Sequence, residues 1–385
     1  MDKSQKCEKT DCGAVREAEA LIKGVVKNLF KLLLVTPIFL LLVCVNFYVD
    51  TRGLFQGGQF ERELAAKLHD GKAISNFQKL DERQILRLYI KEMKTSYDTL
   101  VVGSSRGLQI TAAIAGAEGN FYNAGMTGED YYDVMGTVGL LHSYGRLPKN
   151  MLIVLDPWIL SADPDSKNKR SDKNLANRFL TETLGFDEPY AEEGFQWNTE
   201  ALVAPDYFQT NIAYFFSDHS EEERPAEVEG DIYTQKTEIK MADGTLLYTE
   251  EYRTQSQQAV DNDAQLRAAM PFMMCGFYPQ PDKELCEQFT AMVDFLQENG
   301  VKVTFLLTPF HPDLYARVAT HMDTEGGVIY SESFFYALAQ EKNIPIYGSY
   351  NPERANCTRA DFYDGLHIRR ESISKFFRGI DTELV

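Results

Sequence analysis

The stretch Met151-Leu152-Ile153-Val154-Leu155 has no polar alternation, so a strand there is buried on both faces. Such a strand needs helices on both sides of its sheet, and the flanking sequence supplies them. Apolar runs at Tyr97–Val102, Asn120–Asn123, Val301–Leu307 and Ile344–Tyr347 predict further strands. Between them lie segments of helical spacing: one opening at Asp81, one opening at Glu129, Lys283–Asn299 and Ser331–Glu341. Leu108–Ile114 can also be helical, and a closing helix is expected from Arg370. Strands alternating with helices predict an α/β fold with a mostly parallel sheet, whose functional groups collect at the strands' carboxyl ends.

Residues 160–280 break this rhythm and read as an insertion that caps the sheet edge and shapes a groove. Asp243-Gly244 between alternating segments predicts a β-hairpin inside it. Residues 161–270 carry 23 acids against 10 bases, so −13 of the formal net charge of −18 falls there. A solvated surface or a cation-attracting face would account for it. The overall charge excludes a nucleic-acid partner, which needs a basic face. Neither a Walker loop nor G-x-G-x-x-G is present, which argues against nucleotide binding.

Leu32–Val49 runs 18 residues without a charge, close to the length that crosses a bilayer. Lys23, Lys27 and Lys31 lie on its amino side, and no small-residue cleavage site follows it. The expected organisation is a cytoplasmic tail (1–27), one transmembrane helix (28–49) and an extracytoplasmic domain (50–385). Of the six cysteines, only Cys275, Cys286 and Cys357 would then be extracytoplasmic, and a Cys275–Cys286 bridge is open to them. No zinc-type spacing appears, so neither a metal nor a cofactor is expected.

The strand at Tyr97–Val102 ends in Gly103-Ser104-Ser105-Arg106-Gly107. A hydroxyl at such a turn can cap the following helix, or can attack a carbonyl while neighbouring amides hold the oxyanion. A serine nucleophile needs a base and a group that fixes the base's tautomer. Of six histidines, His367 alone has an aspartate three residues before it, Asp364, and the pair follows the last predicted strand.

With these residues the chain resembles the SGNH-type (GDSL-like) hydrolase and acyltransferase superfamily. Gly103-Ser104-Ser105 stands where that family has Gly-Asp-Ser. Asn123-Ala124-Gly125-Met126-Thr127-Gly128 is similar to its second block, and Asp364-Gly365-Leu366-His367 to its D-x-x-H block. The resemblance implies a flavodoxin-like three-layer α/β/α fold with Ser105 as nucleophile, His367 as base and Asp364 as its partner. The amides of Ser105 and Gly125 would form the oxyanion hole, and Asn123 would lie at the substrate. The variant behind one anchor resembles the envelope branch, which includes the lipoteichoic-acid D-alanylation and alginate acetylation proteins.

The third block, Gly-x-Asn-Asp, is missing, because the equivalent strand ends in Asp156-Pro157-Trp158 and an ionised aspartate cannot donate. Arg106 or Asn211 would have to stand in for its asparagine. Arg106 could instead bind a substrate carboxylate or phosphate, or pair with a neighbouring acid. His311, after the strand at Val301–Leu307, is open to a substrate role or a structural one. Asp156 is expected to cap or orient loops. Trp158 and Tyr131 could stack on sugar rings or simply pack.

The expected function is a membrane-anchored serine esterase or O-acyltransferase acting on acyl esters of a cell-surface polysaccharide. Its partners would be that glycan and a membrane acyl-donor protein. The alternative is an inactive scaffold that binds a glycan or helps to assemble envelope polysaccharide.

Overall fold

The computed structural model of the chain describes residues 23–377, apart from positions 25, 29, 30, 32, 34, 52–54, 56, 57, 79, 192–198, 217–224, 273 and 274. The chain divides into two compact units, residues 1–59 with 195–219 and residues 60–194 with 220–385. The first elements are a helix over residues 35–49 (α1), α2 (Gln59–His69), β1 (Ile74–Ser75), α3 (Glu82–Glu92), β2 (Thr99–Val102) and β3 (Phe121–Asn123). There follow α4 (Tyr131–Ser143), β4 (Asn150–Val154), α5 (Lys173–Glu182), α6 (Thr199–Leu202), α7 (Pro205–Phe216) and β5 (Ala226–Glu227). Next come β6 (Ile239–Lys240), β7 (Leu246–Leu247), α8 (Glu250–Thr254), α9 (Gln257–Ala268) and α10 (Lys283–Glu298). The last are β8 (Lys302–Leu307), α11 (Pro312–Thr320), α12 (Met322–Glu325), α13 (Gly327–Lys342) and β9 (Ile346–Gly348).

The larger unit is α/β, built on five parallel strands in the order β3-β2-β4-β8-β9. Counting these strands alone, the order is 2-1-3-4-5, a doubly wound sheet that reverses direction between β2 and β4. Successive strand residues point to opposite faces. Leu100, Val102, Met151, Ile153, Phe305 and Leu307 join one core with Ile85 of α3, Val138 of α4, Phe289 of α10 and Phe335 of α13. Val101, Leu152, Val154 and Leu306 join a second core with Val260 of α9 and with Phe362, Ile373 and Phe377. The absence of polar alternation in β4 thus has its cause: both faces of the strand are covered.

Aspartates start the helices where the sequence places them. Asp81 accepts from the Arg83 amide at the head of α3, and Asp282 accepts from the Leu285 amide at the head of α10. Asp130 and Asp133 form a reciprocal capping box on α4.

Two expected helices are absent. Leu108–Ile114 forms turns, because carbonyls that a helix would use are taken from elsewhere: Asn123 Nδ2 donates to Gly107 O and Ile110 O, and Leu246 N donates to Leu108 O. The closing helix is a short 3₁₀ segment, Arg370–Lys375.

The Asp243-Gly244 hairpin forms as expected, with β6 and β7 antiparallel. They belong to a four-stranded sheet ordered β5-β1-β6-β7. The hairpin tip docks on the end of β3, where Asn123 N donates to Asp243 O at 2.7 Å. Gly244 is obligatory there: its φ is +80°, and a Cβ would collide with the Asn123 carbonyl. Cys44, Cys275, Cys286 and Cys357 are free thiols, so the Cys275–Cys286 bridge is not formed.

Among the described residues no helix is long and apolar enough to cross a membrane. Four positions of the expected span (29, 30, 32 and 34) and positions 1–22 and 25 of the expected cytoplasmic tail lie outside the described residues.

Candidate active site

Where β2 ends, the backbone turns at Gly103, whose φ of +149° and 2.6 Å approach of a would-be Cβ to Val154 Cβ exclude any side chain. Ser104, buried, accepts from the Arg106 amide at 3.3 Å and caps the 3₁₀ turn Ser105–Gly107. Ser105 is half-buried. The capping and nucleophile readings of this turn are thus divided between adjacent serines.

Residues 361–368 bring the second half of the site to the same sheet edge. His367 Nε2 lies 2.8 Å from Ser105 Oγ, and His367 Nδ1 lies 2.9 Å from Asp364 Oδ2. The carboxylate facing Nδ1 fixes the proton there, leaving the Nε2 lone pair for the serine hydroxyl. Burial pushes the Asp364 carboxyl up, but His367 and the amides of His367 and Leu366, each 2.7 Å from Oδ1, outweigh it. The group is held well below the usual carboxylate range. Tyr252 donates a further hydrogen bond to Asp364 Oδ2 at 2.8 Å, and the Tyr248 hydroxyl donates to Ser105 O at 3.2 Å. Burial, with Asp364 nearby, pushes both phenols up, so both remain donors.

Gly125 takes a different place from the one expected. Its amide donates to Asn123 Oδ1 at 3.0 Å, and a Cβ would stand 2.9 Å from Gly103 O, so the glycine serves close packing. The next two amides are also committed, Met126 N to Gly103 O at 3.0 Å and Thr127 N to Glu82 Oε2 at 2.8 Å. Gly128, at φ +61°, is the loop residue whose amide donates to no protein acceptor among the described residues, and the Ser105 amide is likewise uncommitted. Asn123, fully buried, is a scaffold for this loop rather than a substrate contact.

Of the readings open to Arg106, pairing with a neighbouring acid is the one that forms. Arg106 is 3 % exposed and donates to Asp156 Oδ1 at 2.9 Å, Leu366 O at 3.2 Å, Pro309 O at 2.8 Å and Thr308 O. Neither a substrate anion nor an oxyanion can reach a guanidinium so fully used. Its partner Asp156 is also buried, and burial pushes that carboxyl up against the pull of Arg106. Asn211 belongs to the smaller unit, where its side chain is committed to Asn46 and Thr51. Neither expected stand-in for the third-block asparagine is therefore available.

His311 is fully buried and accepts from the Asp313 amide at 3.2 Å, while its own amide donates to Gly365 O at 3.2 Å. Burial pushes its pKa down. It holds the loop that carries His367 and exposes no surface of its own. Trp158 and Tyr131 are buried packing residues, with the indole donating to Glu129 O at 2.9 Å and the phenol to Gln288.

Ser105 and His367 open into a cavity of about 480 Å³ whose walls include Phe77, Leu108, Thr127, Tyr248 and Tyr252, with Glu82, Glu238 and Arg170 as its charged groups. Tyr248, Tyr252 and Glu238 come from the expected insertion, which does shape the groove. No local signal in the sequence marks these residues as site residues. Comparison with protein-family models and with curated proteins finds no match to this chain.

Glu129 supports the Gly103–Ser105 turn from behind, accepting from Gly103 N at 3.1 Å, while its Oε1 is buried without a partner among the described residues. Burial, with Asp133 nearby, pushes its carboxyl well up. The folded chain then keeps a proton that the unfolded chain releases, so this group's contribution falls as pH rises above the ordinary carboxylate range. Glu129→Gln is expected to melt higher than wild type at about pH 8, with the gap closing near about pH 4. Thermal unfolding across that range checks it, and a gap that stays constant with pH counts against it.

Proposed function

We propose that the chain is an SGNH-type serine esterase or O-acyltransferase that acts on acyl esters of a cell-surface polysaccharide. The relay Ser105 Oγ–His367 Nε2–Asp364, at 2.8 and 2.9 Å and opening into the cavity, carries this reading. Ser105 attacks the acyl carbonyl as His367 takes its proton. The Ser105 amide holds the oxyanion, and Asp364 and Tyr252 keep the imidazole oriented. His367 then returns the proton to the leaving sugar oxygen, giving an acyl-enzyme at Ser105. Water or another sugar hydroxyl, deprotonated by His367, takes the acyl group. The glycan and a membrane acyl-donor protein are the partners this chemistry calls for.

The same reading places the chain at the cell membrane, with its amino terminus cytoplasmic and the site outside. Its support is the uncharged run Leu32–Val49 behind three lysines, and the exposure of Ile38, Phe39, Leu40 and Leu41 along α1. A second reading, a glycan-binding scaffold without turnover, draws on Asp156 standing in place of the third-block asparagine.

Intact mass after exposure of the detergent-solubilised full chain to a fluorophosphonate separates the two readings. One adduct on wild type, and none on Ser105→Ala or His367→Ala, is expected. A folded wild type that takes no adduct favours the scaffold.

A further inference from the structure

The loop that carries Asp364 and His367 leans on α9, which presents two opposite charges to it one helical turn apart. Asp263 Oδ2 accepts from the Gly365 amide at 3.0 Å, and the same oxygen accepts from Arg267 Nε at 2.7 Å. Arg267 Nη2 then stands 3.7 Å from Asp364 Oδ2, the oxygen that faces His367 Nδ1. Gly365 leaves room for this approach, since a Cβ there would lie 2.7 Å from Arg267 Cδ.

Asp364 is fully engaged without the guanidinium. Its oxygens accept from the amides of Leu366 and His367 and from the Tyr252 hydroxyl, and they face His367 Nδ1. At 3.7 Å Arg267 donates no hydrogen bond to it, so what Arg267 brings is charge. The sign matters. An imidazole beside an ionised aspartate alone is drawn toward its protonated form, in which it cannot take a proton from Ser105. A cation behind the aspartate pulls the other way.

The remaining groups around His367 do not provide this pull. Arg106 and Asp156 pair with each other beneath the relay. Burial pushes the phenols of Tyr248, Tyr252 and Tyr363 up, so they are uncharged at neutral pH. Across the cavity, Arg170 is outnumbered by Glu82 and Glu238.

We propose that Arg267, set in place by Asp263, is a positioning residue of the relay, whose charge behind Asp364 keeps His367 a free base at lower pH than the Asp364–His367 pair alone would allow. The inference rests on the enzyme reading proposed above.

The test follows the rate at which a fluorophosphonate inactivates the detergent-solubilised full chain between about pH 5 and pH 9, the range that brackets an ordinary imidazole. Arg267→Gln removes the cation. Its acid limb is expected to move up by about half a pH unit, a loss of about threefold on the limb that shrinks toward alkaline pH. Asp263→Asn removes an anion, keeps an oxygen for the Gly365 amide, and is expected to move the limb the opposite way. Arg267→Lys keeps the charge and is expected to keep the wild-type limb. Arg267 and Asp263 are 37 % and 38 % exposed, so about 1 M salt is expected to shrink both shifts. A loss in Arg267→Gln that is equal at every pH overturns the inference and leaves the enzyme reading standing, as do shifts of one sign in Arg267→Gln and Asp263→Asn. A folded wild type that is not inactivated overturns the enzyme reading, and this inference with it.

Discussion

Alanine at Ser105 or at His367 is expected to lower turnover of a small acyl ester by about 10⁴- to 10⁶-fold, with the double variant scarcely worse than either single one. The non-additivity follows from the geometry. Ser105 Oγ has one base within reach, at 2.8 Å, and without it the hydroxyl loses the acceptor for its proton. Asp364→Asn is expected to lose on the order of 10⁴-fold, because an amide facing Nδ1 no longer fixes the tautomer. The depressed Asp364 value means that this carboxylate stays ionised across the neutral and mildly acid range. Initial rates of p-nitrophenyl acetate hydrolysis, on variants whose circular dichroism matches wild type, measure these effects. Equal rates for wild type and Ser105→Ala would remove the enzyme reading.

Arg106→Met is expected to destabilise the larger unit by about 3–5 kcal/mol, the range for removing one member of a buried ion pair. The methionine leaves Asp156 buried and uncompensated at 1 % exposure, and it strips donors from three carbonyls. Those carbonyls belong to Thr308 and Pro309, beyond β8, and to Leu366, beside the base. Arg106 therefore ties the ends of three neighbouring strands to the His367 loop. Arg106→Met with Asp156→Leu is expected to recover part of the loss, since replacing both partners removes the stranded charge. Urea unfolding of the two variants measures it. A double variant no more stable than the single would show that the carbonyl bonds, rather than the ion pair, dominate.

Much of the larger unit is legible in the sequence because its signals are local. The unbroken apolar run at β4, the helical spacing of apolar residues in α4 and α10, and Asp243-Gly244 each describe structure within a few residues. Ser105, Asp364 and His367 are legible because strand ends and spacing place them on one sheet edge. What failed depends on groups distant in the chain. Leu108–Ile114 loses its helix to Asn123 and β7, and the expected donor Gly125 is claimed by Asn123. The expected anion site at Arg106 is filled by four protein acceptors. Tyr248 and Tyr252 reach the relay only because β6 and β7 dock on β3, which no local pattern announces.

Ser105 and His367 stand 262 positions apart in the chain. The serine turn can be complete as soon as β2, β3 and β4 have paired, yet it holds only an ordinary alcohol until β8 and β9 have added to the sheet and the His367 loop has closed over it. On the proposed enzyme reading, reactivity is therefore acquired late, as a property of the finished fold rather than of any early folding unit. During refolding, a serine-directed probe added at intervals would time the arrival of the final segment more directly than any spectroscopic measure of helix or sheet.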